Sequence, residues 1–372
     1  MKAKILKIKS NSRFHFGKPL IDSDTSLKDT DTYLHSDVLF SALVNNLATI
    51  YHKDVVDAFV DAFETGRIKI SSCFYCLETH DKSYVFLLPR PANAVNQVKI
   101  DNYDQIKKIK RVQFIDSNLL RASIENWKVD GNWALSEQNL ERLNLSYKEK
   151  SEKSVSEIYG KTSGNKELRV SLFSKKFNTQ VGIRNFKEET YFDNENEAKR
   201  MVSKGPYQVS YIQIADLSEI DLQVHFYFVY DIIDQAVEDS FELAVKLLEF
   251  NGIGGERSSG YGKIEAVETI KNIPEIFQNK INSSNYLSIS KIIPKDLEEL
   301  KTFKAYSHSI RGGRQTHDAG ALKNIRMINE GAILTNTVSG KLVDISPEES
   351  SNKYQRNGKA FLLPLPEPFN IN

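Results

Sequence analysis

The densest chemical signal in the chain is GIGGERSSGYGK, which sets Gly252, Gly254, Gly255, Gly260 and Gly262 around Arg257, Ser258, Ser259 and Tyr261. Glycines reach positive φ and let a backbone come close to a ligand. Successive amides in such a loop can line a concave anion site. Arg257 brings charge, the two serines bring hydroxyls, and the Tyr261 ring brings a stacking face. The spacing to a GK[ST] triplet is wrong for a Walker loop. The loop also follows a helix and enters a strand, unlike a dinucleotide fingerprint. Five glycines in eleven residues exceed what one turn needs. A phosphate-cradling loop is therefore the reading preferred, with a plain helix-to-strand turn as its alternative.

His15 lies between Phe14 and Phe16, directly after the first strand. Three roles are open to it: general acid or base, hydrogen-bonding contact to a ligand, or buried structural ring. No second acid–base residue stands near it in sequence, which argues against catalysis. His35, Ser36 and Asp37 are consecutive and cannot share a helix face, so they form no triad. Ser36 and Asp37 read as capping residues, and His35 as a contact to RNA or a partner. Cys73 and Cys76 make a C-x-x-C inside a strand-like segment, where they face opposite sides. With no second ligand pair they read as structural rather than zinc-binding or redox-active. His308, His317 and Asp318 define no metal geometry.

Two basic stretches complete the inventory. Residues 301–326 carry Lys301, Lys304, Arg311, Arg314, Lys323 and Arg326 with Asp318 as their only acid. This imbalance points to RNA contact, with Gly312 and Gly313 beside Arg311 as a second place for backbone to approach phosphate. Lys107, Lys108, Lys110 and Arg111 read instead as a solvated helix face.

The elements that must position these residues follow from periodicity. Residues 3–10 alternate as a strand does. Leu39, Leu43, Leu47 and Ile50 recur at helical spacing after His35, and a second helix runs over 54–64 to Gly66. Residues 67–76 and 83–88 make a strand pair. Strand, helices, strand and strand are three quarters of a ferredoxin-like β-α-β-β-α-β unit. Residues 207–214 and 222–230 read as a further strand pair. A helix capped by Ser240 then ends at Asn251-Gly252, and 264–267 supplies the last strand. Two units are expected in 372 residues, one over 1–269 and a smaller one over 270–372. Lys and Arg number 50 against 49 Asp and Glu, so net charge decides nothing and any nucleic-acid surface must be local. The N-terminus has no signal-peptide core and no apolar run reaches membrane-span length, so a cytoplasmic protein is expected.

The glycine loop, RFHFG at 13–17 and HSDVLFSAL at 35–43, in that order, resemble the RAMP superfamily of CRISPR proteins. Within it they resemble the family of subunits that cap the 5′ handle of the guide in type III-A Csm complexes. RGGRQ at 311–315 and RMINEGAIL at 326–334 resemble that family's second module, whereas 99–166 match no motif. The resemblance implies an α+β chain of two ferredoxin-like modules with a glycine-rich loop and a thumb-like β-hairpin insertion. It implies a non-catalytic subunit without cofactor, metal or small-molecule substrate. Such a subunit holds the CRISPR RNA 5′ handle and meets the target RNA. It also joins the large polymerase–nuclease subunit to the backbone RNA-cutting subunit. On the handle it gives roles to His15, Phe16, Gly17, His35, residues 252–262, and Arg311, Gly312, Gly313 and Arg314. The hairpin falls on 177–206, with Arg184, Phe186 and Tyr191 as wedge or clamp residues. Three alternatives stay open: a metal-independent endonuclease using His15, a scaffold meeting only protein, and the equivalent cap of a type III-B complex.

Overall fold

The computed structural model describes residues 1–18, 27–98, 102–130, 132–150, 171–181, 186–193, 196–203, 206–270, 272–278, 283–314, 321–348, 350, 353–366 and 369. The first strand, Lys2–Lys7, is flanked on both sides by antiparallel partners. Gln223–Ile232 pairs with it on one side and Ala266–Ile270 on the other. Phe74–Glu78 lies beyond Gln223–Ile232, again antiparallel. In chain order that is fourth, first, third, second, the strand order of a ferredoxin-like unit. Its two helices, Ser36–Ala48 and Glu238–Lys246, lie side by side. Asn46 Nδ2 donates to the Ala244 carbonyl at 2.9 Å. The Phe241 ring stacks on Tyr230 of the sheet at 4.8 Å.

The unit's third strand is therefore Gln223–Ile232, not the segment at 83–88. Tyr84–Pro89 does form the expected hairpin with Phe74–Glu78, but on that strand's outer edge. It extends the sheet toward Phe114–Asp116, Trp133–Leu135 and Lys128–Asp130, and Ile68–Ile70, paired with Gln223–Ile232, makes a ninth strand among the described residues. Sequence adjacency favoured the hairpin, whereas the true third strand returns only after the whole insertion. The expected pairing of 207–214 with 222–230 does not occur either. A 3₁₀ turn at Ser218–Ile220 and left-handed Asp221 redirect the chain, and the two strands join different sheets. The helix assigned to a Ser240 cap starts earlier, at Glu238, behind a turn in which Asp234 accepts from the Ala236 amide at 3.0 Å.

The insertion carries a β-ribbon. Phe173–Val181 and Pro206–Ile214 pair in register from Phe173↔Ile214 to Val181↔Pro206, and Arg13–Phe14 lies along the same Pro206–Ile214 strand. Phe186–Asp193 and Asn196–Ser203 then form the hairpin expected over 177–206.

The second unit repeats the strand order. Phe303–Ala305, Ile333–Leu334, Tyr286–Ser288 and Leu362–Pro364 are second, third, first and fourth in the chain. Helix Leu297–Lys301 joins its first two strands. A hairpin of Gly340–Asp344 with Gln355–Lys359 replaces the second helix and packs on the helices of the first unit. One apolar interior runs through both units, from Phe14, Phe226 and Tyr75 to Leu287, Ile289 and Leu363. Each such fully buried large side chain contributes about 2 kcal/mol, so the units stabilise each other.

Candidate nucleic-acid interface

The glycine loop lies directly along RFHFG. Gly255 and His15 form an isolated antiparallel bridge, with the Gly255 amide donating to the His15 carbonyl at 2.9 Å. The Gly262 amide donates to the Arg13 carbonyl at 2.7 Å, and the Ile253 amide closes the loop on Gly262 at 2.9 Å. The seat on His15 and the loop's own closure together dictate most of the glycines. A Cβ on Gly254 would sit 2.6 Å from the His15 carbonyl oxygen, and one on Gly262 2.1 Å from that of Ile253. Gly252, Gly254, Gly260 and Gly262 all have positive φ. The glycine count is thus explained by seating the loop, and it does not by itself indicate phosphate. Gly260 is the exception: a Cβ there meets nothing within 4 Å.

The loop's outer turn is what solvent meets. Arg257, Ser258, Ser259 and Gly260 are exposed, as is Gly17 across the bridge. Arg257 gives one N–H to the Asn251 carbonyl at 3.1 Å, which leaves most of its five donors available. Glu256 holds a left-handed φ of 57° that a non-glycine residue rarely adopts. Arg13 is exposed and lies over the Tyr211 ring at 5.5 Å. The sequence reading passed over Arg13 as a site residue, although it opens the RFHFG motif. Phe250 was also missed: it is 79% exposed and precedes the loop by two residues.

Several expected contacts lie inside instead. Phe16, given a role on the handle, and Tyr261, given a stacking face, are each 4% exposed. Phe16 packs on Phe14 and Phe226, and Tyr261 meets the edge of Tyr211. His15 is equally buried, and its Nδ1 donates to the Ser210 carbonyl at 2.7 Å. Of the thumb residues, Phe186 pairs with Ser203 and Tyr191 with Ala198 in the hairpin, while Arg184 lies outside the described residues, as do His317 and Asp318.

His35 and Arg311 are spent between the two units. The cap position of Ser36–Ala48 is His35, without a side-chain cap bond. Ser36 does not cap: its Oγ accepts from the Lys291 amide at 2.9 Å, and its own amide donates to Ser72 Oγ at 2.8 Å. Asp37, also expected at the cap, is fully buried. Its Oδ2 takes Arg356 Nη1 at 2.6 Å and Arg311 Nε at 3.1 Å. Arg311 Nη1 reaches Asp31 at 2.7 Å, so its cationic group is not available to phosphate. His35 bridges Asp31 at 3.2 Å and Glu330 at 2.8 Å. Glu330 also accepts from the Tyr33 hydroxyl at 3.0 Å and the Ser72 hydroxyl. Burial pushes the Asp31 carboxyl up, but His35 and Arg311 outweigh it and hold it at about 2. The same contest holds Asp37 and Glu330 well below the carboxylate range. Gly312 lends its carbonyl to Arg356 at 3.1 Å, while Gly313 and Arg314 continue the His308–Arg314 strand.

Cys73 and Cys76 are fully buried, and burial drives both thiols up, as structural cysteines require. A second ionic cluster had no sequence signal, because its members come from distant strands. Glu78 Oε2 accepts from Lys7 at 2.5 Å and His225 Nε2 at 2.9 Å, while His225 Nδ1 accepts the Ile8 amide at 3.1 Å. Burial raises the Glu78 carboxyl, and the Lys7 and His225 bonds bring it down to about 2. Among the described residues no group of three or more His, Cys, Asp or Glu side chains could hold a metal ion, and no helix is long and apolar enough to cross a membrane.

Two ferredoxin-ordered units, a glycine loop before the last strand of the first, and a β-ribbon insertion define an RNA-recognition-like architecture. A family profile described as the CRISPR Csm4 C-terminal domain matches residues 281–365. The CRISPR system protein Csm4 of Methanocaldococcus jannaschii is 27% identical over 98% of this chain and 98% of its own length. A chain in the crystal structure of a Csm3–Csm4 subcomplex from a type III-A interference complex is 23% identical, with a TM-score of 0.64 over 98% of this chain and 99% of that one. A Csm1–Csm4 cassette crystallised with cA4 is 15% identical, with a TM-score of 0.48 over 98% and 97%. The chain thus resembles a Csm4 protein over nearly its whole length, matches the Csm4 C-terminal domain profile over 281–365, and shares the fold of the chain in the Csm3–Csm4 subcomplex.

Proposed function

We propose that the chain is a non-catalytic RNA-holding subunit of a type III-A CRISPR effector complex that grips the 5′ handle of the guide. The observation that carries this reading is the apposition of 252–262 with 13–17 through the Gly255–His15 bridge. It gathers Arg257, Ser258, Ser259, Gly17 and Arg13 on one exposed edge. That edge offers cations, hydroxyls and backbone to phosphates, and Phe250 rather than Phe16 or Tyr261 supplies an uncovered ring. In this reading the handle is held as an irregular single strand whose identity is read directly, while the spacer is read by base pairing. The β-ribbon serves as the thumb between guide and target RNA. The subunit works in the cytoplasm and joins the large polymerase–nuclease subunit to the backbone RNA-cutting subunit.

An endonuclease using His15 finds less support. The ring is buried beneath Gly255, with one nitrogen bound to the Ser210 carbonyl. A general acid–base group must instead come within hydrogen-bond reach of the 2′-hydroxyl. The test is guide affinity at physiological salt. Arg257→Ala is expected to weaken binding of a handle-bearing RNA about tenfold, the loss of one charge-assisted contact. Unchanged affinity would remove the assignment, and cleavage of repeat RNA in chelator that is lost in His15→Ala would replace it.

A further inference from the structure

We infer that helix Tyr103–Arg111 is a second nucleic-acid contact, one that grips the phosphate backbone of a single strand without reading its sequence. Ile109 is fully buried and Ile106 half-buried, which fixes the inward face of this helix. Tyr103, Lys107 and Arg111 then fall at i, i+4 and i+8 along the outward face, with Lys108 and Lys110 on either side. All five are exposed, and the Tyr103 ring is 71% exposed. The helix contains one acid, Asp104, and among the described residues no salt bridge engages any of its four cations.

Solvation of a charged face does not account for this arrangement. Lys107 stands one turn from both Lys110 and Arg111, and Lys108 one turn from Arg111, so the helix carries like-charge pairs that oppose its own stability. The helix dipole favours cations in the last turn and Asp104 stands one turn from Lys107 and Lys108, but neither explains an exposed aromatic in line with them. Cations in a row with a stacking ring are the combination that single-strand binders use. An acidic protein would match the charge and leave Tyr103 without a purpose. Position supports the same occupant. Gln113, two residues beyond the helix, accepts from Thr32 at 3.3 Å. Thr32 belongs to the segment that bonds Phe16 and Gly17 through Thr30. Only this positional support rests on the handle reading; the row of cations with its exposed ring does not, because it concerns RNA of any sequence.

The test uses the full-length protein and a fluorescein-labelled oligouridylate without repeat sequence, with affinity followed against salt. Lys107→Gln, Lys110→Gln and Arg111→Gln combined change only exposed side chains to a good helix former. The slope of log affinity against log salt should fall by about 2 in this variant, at ~0.7 per phosphate contact. Tyr103→Ala should weaken binding about fivefold or more and leave the slope unchanged. Lys53→Gln, an exposed cation on helix Lys53–Glu64, should leave oligouridylate binding within about twofold. Equal slopes in wild type and triple variant would overturn the inference. So would wild-type protein with no salt-dependent binding, or a triple variant that loses only a protein partner.

Discussion

Gly254→Ala against Gly260→Ala separates the two reasons a glycine can stand in this loop. At Gly254 the new methyl carbon would sit 2.6 Å from the His15 carbonyl oxygen, at a φ of +85°. The φ alone costs roughly 1–2 kcal/mol in an L-residue. The clash is with backbone, so no rotamer relieves it. Moving away breaks the 2.9 Å bond from the Gly255 amide to the same carbonyl, worth another ~1 kcal/mol. Together these give about 2–4 kcal/mol, a large share of ordinary stability. Gly260 has a φ of +83° and no neighbour within 4 Å of its Cβ, so its cost is the φ term of about 1 kcal/mol. The assay is urea unfolding of the three proteins side by side, with guide retention measured on each. Gly254→Ala should unfold at clearly lower urea and lose the guide, while Gly260→Ala falls slightly and keeps it. Equal shifts in the two variants would refute the claim that the loop is seated on 13–17.

Arg311→Met should destabilise the protein by ~3 kcal/mol, because Asp31 and buried Asp37 each lose a partner. A thermal melt within a degree or two of wild type would contradict this. Acid should loosen the junction of the two units. Asp31 is held at about 2 against an ordinary 3.8. It therefore contributes ~2 kcal/mol that is fully present above about pH 4 and is lost as pH falls through about 2. Glu78, brought to about 2 from 4.5, adds a loss of the same sign. Stability measured by urea unfolding should fall from about pH 4.5 to 2, and a flat profile would count against the network. Cys73 and Cys76 should resist a thiol reagent in the folded protein and react together in denaturant, since both are fully buried; rapid labelling of the native chain would show the strand to be open.

Much of the first unit was legible because its signals are local. Leu39, Leu43 and Leu47 gave the first helix by periodicity, and all three are buried. The stop at Gly66 and the end at Gly252 both appear as positive φ. The β-hairpin over 177–206 was expected only through the family resemblance, since the residues by themselves show no more than a basic, aromatic, turn-rich insertion. What failed was long-range. Nothing in the sequence near Tyr84 says that the third strand lies beyond the insertion at Gln223–Ile232. Arg311 looked like an RNA contact because acids are scarce around it, yet its partners Asp31 and Asp37 lie in the other unit. Phe16 and Tyr261 looked available because an aromatic beside glycines reads the same whether covered or bare. Only the packing on Phe226 and Tyr211 separates the two cases.

The most direct measurement is to tag this chain, co-express it with its genomic neighbours, purify the assembly and sequence the RNA that comes with it. A guide-holding subunit predicts short RNAs sharing one repeat-derived 5′ end, released at lower salt when Arg257 is replaced by alanine. Protein partners without RNA, or a lone chain that cuts repeat RNA, would contradict it.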